Sequence, residues 1–304
     1  MSFATTVKNE LTTLTFTKTE QIALLAGFIR NNATYDGQML CLSGENYNII
    51  TYLCDILDTI SEVQYEVKTL DNNNFSKKEL YTIVIWKQLQ FLLEMISFDQ
   101  PTPDLYLVEG NEEARSYIRG VFLSAGSIND PKTSQYHLEF FIDKPDEAVF
   151  VQKILNKFEL NAKLLSRDKG YMVYLKEAEK ISDFLKILGA TNSVLYFENV
   201  RAYHEQKNQT NRLNNCEQAN MDRVIETATQ QLNYIQLLED NMAVTLLDDK
   251  TKEALIYRKK YPEASLKELS EIISLETGKK ITKSGLNHRF RKIKELALRL
   301  QKES

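Results

Sequence analysis

The chain is short of cysteine, glycine and histidine, and each shortage removes a class of function. Three cysteines, Cys41, Cys54 and Cys216, stand far apart in 304 residues and form no C-x-x-C pair. That spacing argues against a disulfide framework or a zinc knuckle and for buried or inert thiols. Ten glycines are few for an enzyme that cradles phosphate in a glycine-rich loop, and no Walker-type or dinucleotide-binding pattern occurs. His137, His204 and His288 lie in different segments, without the neighbours of a metal site or a catalytic triad. Long hydrophobic runs are missing as well. No stretch approaches the roughly 18 apolar residues of a membrane span, and MSFATTVKNELT has no signal-peptide core. The expectation is a cytoplasmic protein with no membrane contact, no metal and no cofactor.

What is present is an ordinary globular composition, 43% hydrophobic and 26% charged, in a chain long enough for two or three domains. The net charge of −4 says little, but its distribution says more. Residues 250–304 hold 15 Lys and Arg against 7 Asp and Glu, whereas the preceding residues hold 23 against 35. An acidic body with a basic C-terminal end points to contact with a polyanion at that end.

The first 190 residues contain a weak internal repeat. One copy reads as a helix at Thr19–Asn31, a strand at Met39–Ser43 and a helix near Glu45–Thr59. A strand near Glu62–Leu70, a polar turn at Asp71–Asn74, a strand at Leu80–Trp86 and a helix at Gln88–Ile96 complete it. The other copy reads as a helix at Ala114–Ser124, a strand at His137–Ile142 and a helix at Asp146–Phe158. Strands near Ala162–Ser166 and Tyr171–Lys176 and a helix at Glu177–Leu188 follow. Helical stretches carry the 3.6-residue period, while YTIVIW and YMVYLK alternate like strands. Gly27 matches Gly120, Leu42 matches Leu138 or Glu139, and Ile83 falls near Tyr174. Each copy is an α+β unit with helices over one sheet face. PTPD at Pro101–Asp104 punctuates the junction.

Beyond Asn199 the chain turns polar and rich in amides, RAYHEQKNQTNRLNNCEQAN. It leads into an amphipathic helix whose stripe is Met221, Val224, Ile225, Ala228, Leu232, Ile235 and Leu238. Three shorter helical patterns follow. Pro262 ends the first, Thr251–Tyr261. Ser265 and Glu268 form a capping-box signature for the second, which Gly278 ends. The third begins near Thr282–Ser284 with the stripe Leu286, Phe290, Ile293, Leu296 and Leu300. Three short helices with a basic last one suggest a helix-turn-helix whose last helix enters the major groove. The segment ETGKKITK is longer than a minimal turn. The candidate DNA contacts are Ser265 and Lys267 on the second helix, and Lys283, Ser284, Asn287, His288, Arg289, Arg291 and Lys292 on the third. Asn can pair with adenine, Arg with guanine, and Lys and Arg neutralise phosphate.

LLAGFIRNNA, residues 24–33, resembles the LAGLIDADG motif of homing endonucleases, and IRGVFLSAG, residues 118–126, resembles a degenerate second copy. The longer segments SYIRGVFLSAGSINDPKTSQYHLEF, NRLNNCEQANMDR and ASLKEL with ITKSGLNHRFRKIKEL are similar, in order, to signatures of the WhiA family. The resemblance spans essentially the whole chain. It implies a duplicated, pseudo-twofold LAGLIDADG-like scaffold followed by an all-α helix-turn-helix domain. It also implies a bacterial DNA-binding regulator tied to sporulation, cell division and chromosome segregation, at the nucleoid. The domains expected are 1–100 and 101–195 for the two repeats, 196–245 for a connector and 246–304 for the DNA-binding end.

In the nucleases the penultimate motif residue is an acid, and the pair holds a divalent ion at the scissile phosphates. Hard ions need anionic oxygen. The corresponding residues here are Asn32 and Ala125, so cleavage by that route is not expected and no catalytic residue is assigned. Asp36 and Asp130 follow the motifs but read as turn residues. Arg30, Arg119, Arg201, Lys207 and Arg212 leave a nucleic-acid face on the scaffold conceivable, although its acidic character favours a regulatory protein partner there. Double-stranded DNA is the partner expected at the C-terminal end. The competing readings are a cell-division interaction factor for which DNA is incidental, and a nuclease using other acids.

Overall fold

Two four-stranded antiparallel sheets with the same strand order shape the N-terminal part of the molecule. A computed structural model describes residues 2–60, 63–70, 79–133 and 135–303, and the chain divides into two compact units, 1–204 and 205–304. Among the described residues no helix is long and apolar enough to cross a membrane.

In the first unit, α1 (Phe3–Leu11) precedes α2 (Lys18–Asn32), β1 (Thr34–Tyr35), β2 (Leu40–Gly44), α3 (Tyr47–Ile60), β3 (Gln64–Leu70), β4 (Leu80–Lys87) and α4 (Leu89–Met95). The pattern repeats as α5 (Asn111–Ala125), β5 (Gly126–Ile128), β6 (Leu138–Ile142), α6 (Pro145–Lys157), β7 (Lys163–Arg167), β8 (Gly170–Leu175) and α7 (Ala178–Leu188). The orders β1-β2-β4-β3 and β5-β6-β8-β7 are equivalent. Each repeat therefore has one strand more than the sequence suggests, because β1 and β5 are too short to show an alternation. Helix α1, capped by Ser2, is likewise not foreseen from the sequence. The turn expected at Asp71–Asn74 lies outside the described residues.

Helix α2 starts from a reciprocal capping box. The Thr17 amide donates to Glu20 Oε2 at 2.8 Å, and the Glu20 amide donates to Thr17 Oγ1 at 3.5 Å. Its partner is α5, and the contact is reciprocal. A Cβ on Gly27 would collide with the Tyr117 carbonyl oxygen, three residues before Gly120. A Cβ on Gly120 would collide with the Leu24 carbonyl oxygen, three residues before Gly27. Backbone meets backbone about a pseudo-twofold axis, so glycine is required at both positions. Around this pair the core packs Leu25, Ile29, Leu42, Ile83, Phe122, Phe140 and Phe184.

The strand ladders correct two equivalences. Leu42 pairs with Ile83 and Phe140 pairs with Val173, and all four are buried. The residue equivalent to Leu42 is thus Phe140, and that equivalent to Ile83 is Val173. Glu139 pairs with Tyr174 on the opposite face, since neighbouring strand residues alternate sides.

Helix α8 (Thr191–Asp240) is continuous, with residues 191–204 in the first unit and 205–240 in the second. The polar segment is therefore the middle of a helix, not its approach. Of the apolar stripe, Ala228, Ile235 and Leu238 are buried, while Met221 and Ile225 are exposed. The second unit is completed by α9 (Asp249–Lys260), α10 (Leu266–Thr277) and α11 (Lys283–Glu303). Its separate core joins Ile235 and Leu238 to Leu255, Leu269, Ile273, Leu286, Phe290 and Ile293.

Candidate nucleic-acid interface

The three C-terminal helices are bounded by side chains that the sequence places at their ends. Asp248 caps α9 by accepting from the Thr251 amide at 2.9 Å. Ser265 caps α10, its amide donating to Glu268 Oε2 at 2.7 Å while its hydroxyl accepts from the Glu268 amide at 3.2 Å. These bonds hold the Glu268 carboxyl below its ordinary pKa. Gly278 ends α10 with φ +70°. The five-residue turn is then tied back by Ser274 Oγ, which accepts from the Ile281 amide at 2.9 Å. Thr282 Oγ1 accepts from the Gly285 amide at 3.1 Å and so opens α11.

Arg258, which no sequence motif singles out, fixes these helices to α8. Its side chain is buried, 1% exposed. Its Nε donates to Gln231 Oε1 on α8 at 3.0 Å, its Nη1 donates to the Ala264 carbonyl, and its guanidinium lies 5.4 Å from the Phe290 ring centroid on α11. Burial lowers its pKa. Only its basic charge is visible in the sequence; the partner amide lies 27 residues away.

On α11, Leu286, Phe290, Ile293 and Ala297 face the core. The opposite side of a 3.6-residue helix then carries Ser284, His288 and Arg291, with Asn287 and Lys292 at its two flanks. All five are exposed, as is Lys283. The structure separates the predicted residues into two sets. Lys283, Ser284, Asn287, His288 and Arg291 make no side-chain hydrogen bond or ion pair among the described residues. Arg289 is half-buried and donates to Glu253 on α9 at 3.0 Å, while Lys292 donates to Asp248 at 3.0 Å. The Lys292 bond, with the Thr251 bonds, pulls the Asp248 carboxyl down to about 2. Lys267 is exposed on α10 and Ser265 is engaged in its cap.

At the scaffold's motif ends, Asn32 closes an amide clasp on β2. Its Nδ2 donates to the Ser43 carbonyl and its Oδ1 accepts from the Ser43 amide, both at 3.0 Å. A carboxylate could not donate the first of these bonds. Ala125 ends α5. Asp36 accepts from the Gln38 and Met39 amides, and Asp130 accepts from the Lys132 amide and the Tyr196 hydroxyl. Both are therefore turn residues. Among the described residues no group of three His, Cys, Asp or Glu side chains could hold a metal ion. A cleft of about 850 Å³ beside Asn32 also takes in Lys8 and Ser124. Burial pulls the Lys8 ammonium down to about 8.

The arginines near the motifs do not form a nucleic-acid face. Arg30 is buried, its Nε donating to Glu147 at 2.9 Å and its other nitrogens to the carbonyls of Ser97, Gln100 and Pro101. Glu147 also accepts from the Tyr117 hydroxyl. Arg119 donates to the Leu188 carbonyl at 2.8 Å and lies 4.5 Å from the Phe16 ring. Arg201 pairs with Glu198 on its own helix. Cys41 and Cys54 are half-buried, whereas Cys216 is exposed.

The family model described as the WhiA LAGLIDADG-like domain matches residues 114–207, and that of the WhiA C-terminal HTH domain matches residues 210–297. The probable cell division protein WhiA of Enterococcus faecalis is 39% identical over 317 residues and covers 100% of both chains. Its namesake in Staphylococcus epidermidis is 38% identical, covering 98% of this chain and 96% of that protein. Full-length WhiA from Thermotoga maritima shares the fold with a TM-score of 0.62 at 22% identity, over 98% of this chain and 99% of that one. The isolated N-terminal LAGLIDADG domain of WhiA gives a TM-score of 0.52 at 24% identity, over 62% of this chain and 90% of that one. With relatives of that identity along its whole length and a duplicated LAGLIDADG-like scaffold ahead of a helix-turn-helix unit, the chain belongs to the WhiA family.

Proposed function

We propose that the protein is a non-catalytic, sequence-specific binder of double-stranded DNA, a transcriptional regulator serving cell division and chromosome segregation at the nucleoid. The observation that carries this reading is the exposed, unpartnered row Lys283, Ser284, Asn287, His288 and Arg291 on α11. Its first turns offer base-reading groups and its later residues offer phosphate neutralisation. Arg289 and Lys292 act mainly by setting α11 against α9, and Ser265 by starting α10. Lys267 is a peripheral phosphate contact.

The scaffold is inert in cleavage, because the two motif ends present an amide engaged with β2 and a methyl group. Exposed Val67, Trp86, Phe141 and Leu165 on its strands favour a regulatory protein partner there.

The test is a duplex titration of the intact chain at two salt concentrations with Mg²⁺ present. Binding should be salt-sensitive and the duplex should stay uncut. Lys283→Glu with Arg291→Glu should cost more than tenfold in affinity, and each phosphate left without its cation should lower the slope of log affinity against log salt by roughly 0.9. A cut duplex, or affinity unmoved by the charge reversal, refutes the reading.

A further inference from the structure

Residues 205–223 of α8 are exposed on every side of the helix. A helix that is polar all round is normally held by many side-chain pairs four residues apart. Past Glu205, which has a partner of its own, the described residues of this stretch show one such side-chain bond, from Gln218 Nε2 to Asp222 Oδ1 at 2.8 Å. Asn208, Asn211, Asn214, Asn215 and Asn220 are poor helix formers, and among the described residues their side chains have no hydrogen-bond partner. Arg212 and Arg223 also have none. This amide-rich segment is thus neither a helix start nor an internal hydrogen-bond network.

Four of these seven unpartnered groups, Asn208, Arg212, Asn215 and Arg223, lie along one side of the helix. Asn208, Arg212, Asn215, Ala219 and Arg223 follow one another at intervals of four, three, four and four, which places them in one row along the helix. The same row continues through Glu226 to Gln230, with Thr227 at its flank. Thr227 and Gln230 line a groove of about 270 Å³ whose other wall is Asn287, Phe290, Arg291 and Lys294 of α11. The row therefore runs directly into the flank of the helix that carries the candidate base-reading residues. The large exposed apolar residues of the stretch, Leu213 and Met221, stand off this row, as does Ile225.

We propose that this row is a second part of the DNA interface, in which Arg212 and Arg223 grip backbone phosphates of the flanking duplex and Asn208 and Asn215 support them. The proposal rests on the reading of α11 as the DNA-contacting helix. Guanidinium groups match phosphate oxygens with paired donors, and side-chain amides are common phosphate ligands. At 1.5 Å per residue, Arg212 lies roughly 27 Å along α8 from Gln230, about eight base-pair steps. Asp222 beside the row accepts from Gln218, and Glu226 within it accepts from Gln230 Nε2 at 3.4 Å.

The experiment uses the full chain and a mixed-sequence 40-base-pair duplex. Arg212→Gln with Arg223→Gln should lower the salt slope on this long duplex by about 1.8 and the affinity by about tenfold. Circular dichroism of the variant should match the parent. The long duplex should also protect the exposed Cys216 thiol, one turn from Arg212, from alkylation in the unaltered chain. An unchanged slope on the long duplex overturns the proposal and leaves the row to a protein partner. Arg291→Glu separates the two readings. If it abolishes binding while the double variant has no effect, only the α8 proposal falls. If it has no effect while the double variant does, the α11 reading falls.

Discussion

Arginine is used in opposite ways in the two units. In the scaffold, Arg30 and Arg119 are 4% and 5% exposed and their nitrogens are engaged by carbonyls, a hydroxyl and the Glu147 carboxylate. In the C-terminal unit, Arg258 is engaged in that way, but Arg212, Arg223 and Arg291 are exposed and unpartnered. A charge count cannot tell these cases apart. A guanidinium buried on three or four acceptors is closed to a phosphate; Arg30 thereby ties α2 to Glu147 of the other repeat, and Arg119 ties α5 to the end of α7. Arg291 of α11 and Arg212 and Arg223 of α8 remain available to a ligand.

The largest break of this comparison lies where no charge is involved. Gly120→Ala puts a methyl group against the Leu24 carbonyl and within 2.8 Å of the Phe28 amide nitrogen, both backbone atoms that cannot swing aside. The α2–α5 pair must separate, at a cost of about 4 kcal/mol. The single tryptophan, Trp86 in β4, reports the scaffold alone, so its fluorescence in a denaturant titration should show the midpoint falling sharply. Circular dichroism of the helical C-terminal unit should retain its own transition. A parent-like midpoint would mean that the two helices do not meet backbone to backbone.

Next in size is the removal of a buried partner. Glu147→Ala leaves the Arg30 guanidinium buried beside three carbonyls without its carboxylate, and removes the acceptor of the Tyr117 hydroxyl. Breaking one side of a buried pair costs roughly 3–5 kcal/mol. The Trp86 transition should again move while salt-dependent DNA affinity stays. A loss of DNA binding in the still-folded variant would show that the scaffold's charges serve the ligand after all.

The parts of this molecule that were legible in the sequence are those governed by short-range rules. The capping box at Ser265–Glu268 appears as a local spacing, and the glycines of LLAGFIR and IRGVF mark a close approach whose partner the repeat itself supplies. The strand YTIVIW alternates over enough residues to be recognised. By contrast, β1 and β5 span two and three residues, too few for any periodicity, and their pairing is set by β2 and β6. The role of Arg30 depends on Glu147, 117 residues away. Asn32 was legible as a lost acid but not as a clasp on Ser43, because that needs the β2 register. The helical state of NRLNNCEQAN was illegible for another reason: its amides disfavour helix, and its neighbours on both sides impose it.

The smallest effect separates a buried charge from an exposed one by pH. Lys8 on α1 has its ammonium drawn out of water beside the Phe122 ring, 5.5 Å from the centroid, and burial lowers its pKa from 10.5 to about 8. A lysine with a depressed folded pKa binds fewer protons folded than unfolded between those two values. Scaffold stability should therefore rise as pH increases from about 8 towards 10.5, by an amount on the order of 1–2 kcal/mol for a side chain that keeps some contact with water. Lys8→Met should be more stable than the parent at pH 7, with that difference shrinking by pH 10. Denaturant midpoints from Trp86 at pH 7, 8.5 and 10 test it. A parent midpoint that falls over this range in step with the variant would mean that Lys8 stays hydrated and that the cleft beside Asn32 is open to bulk water.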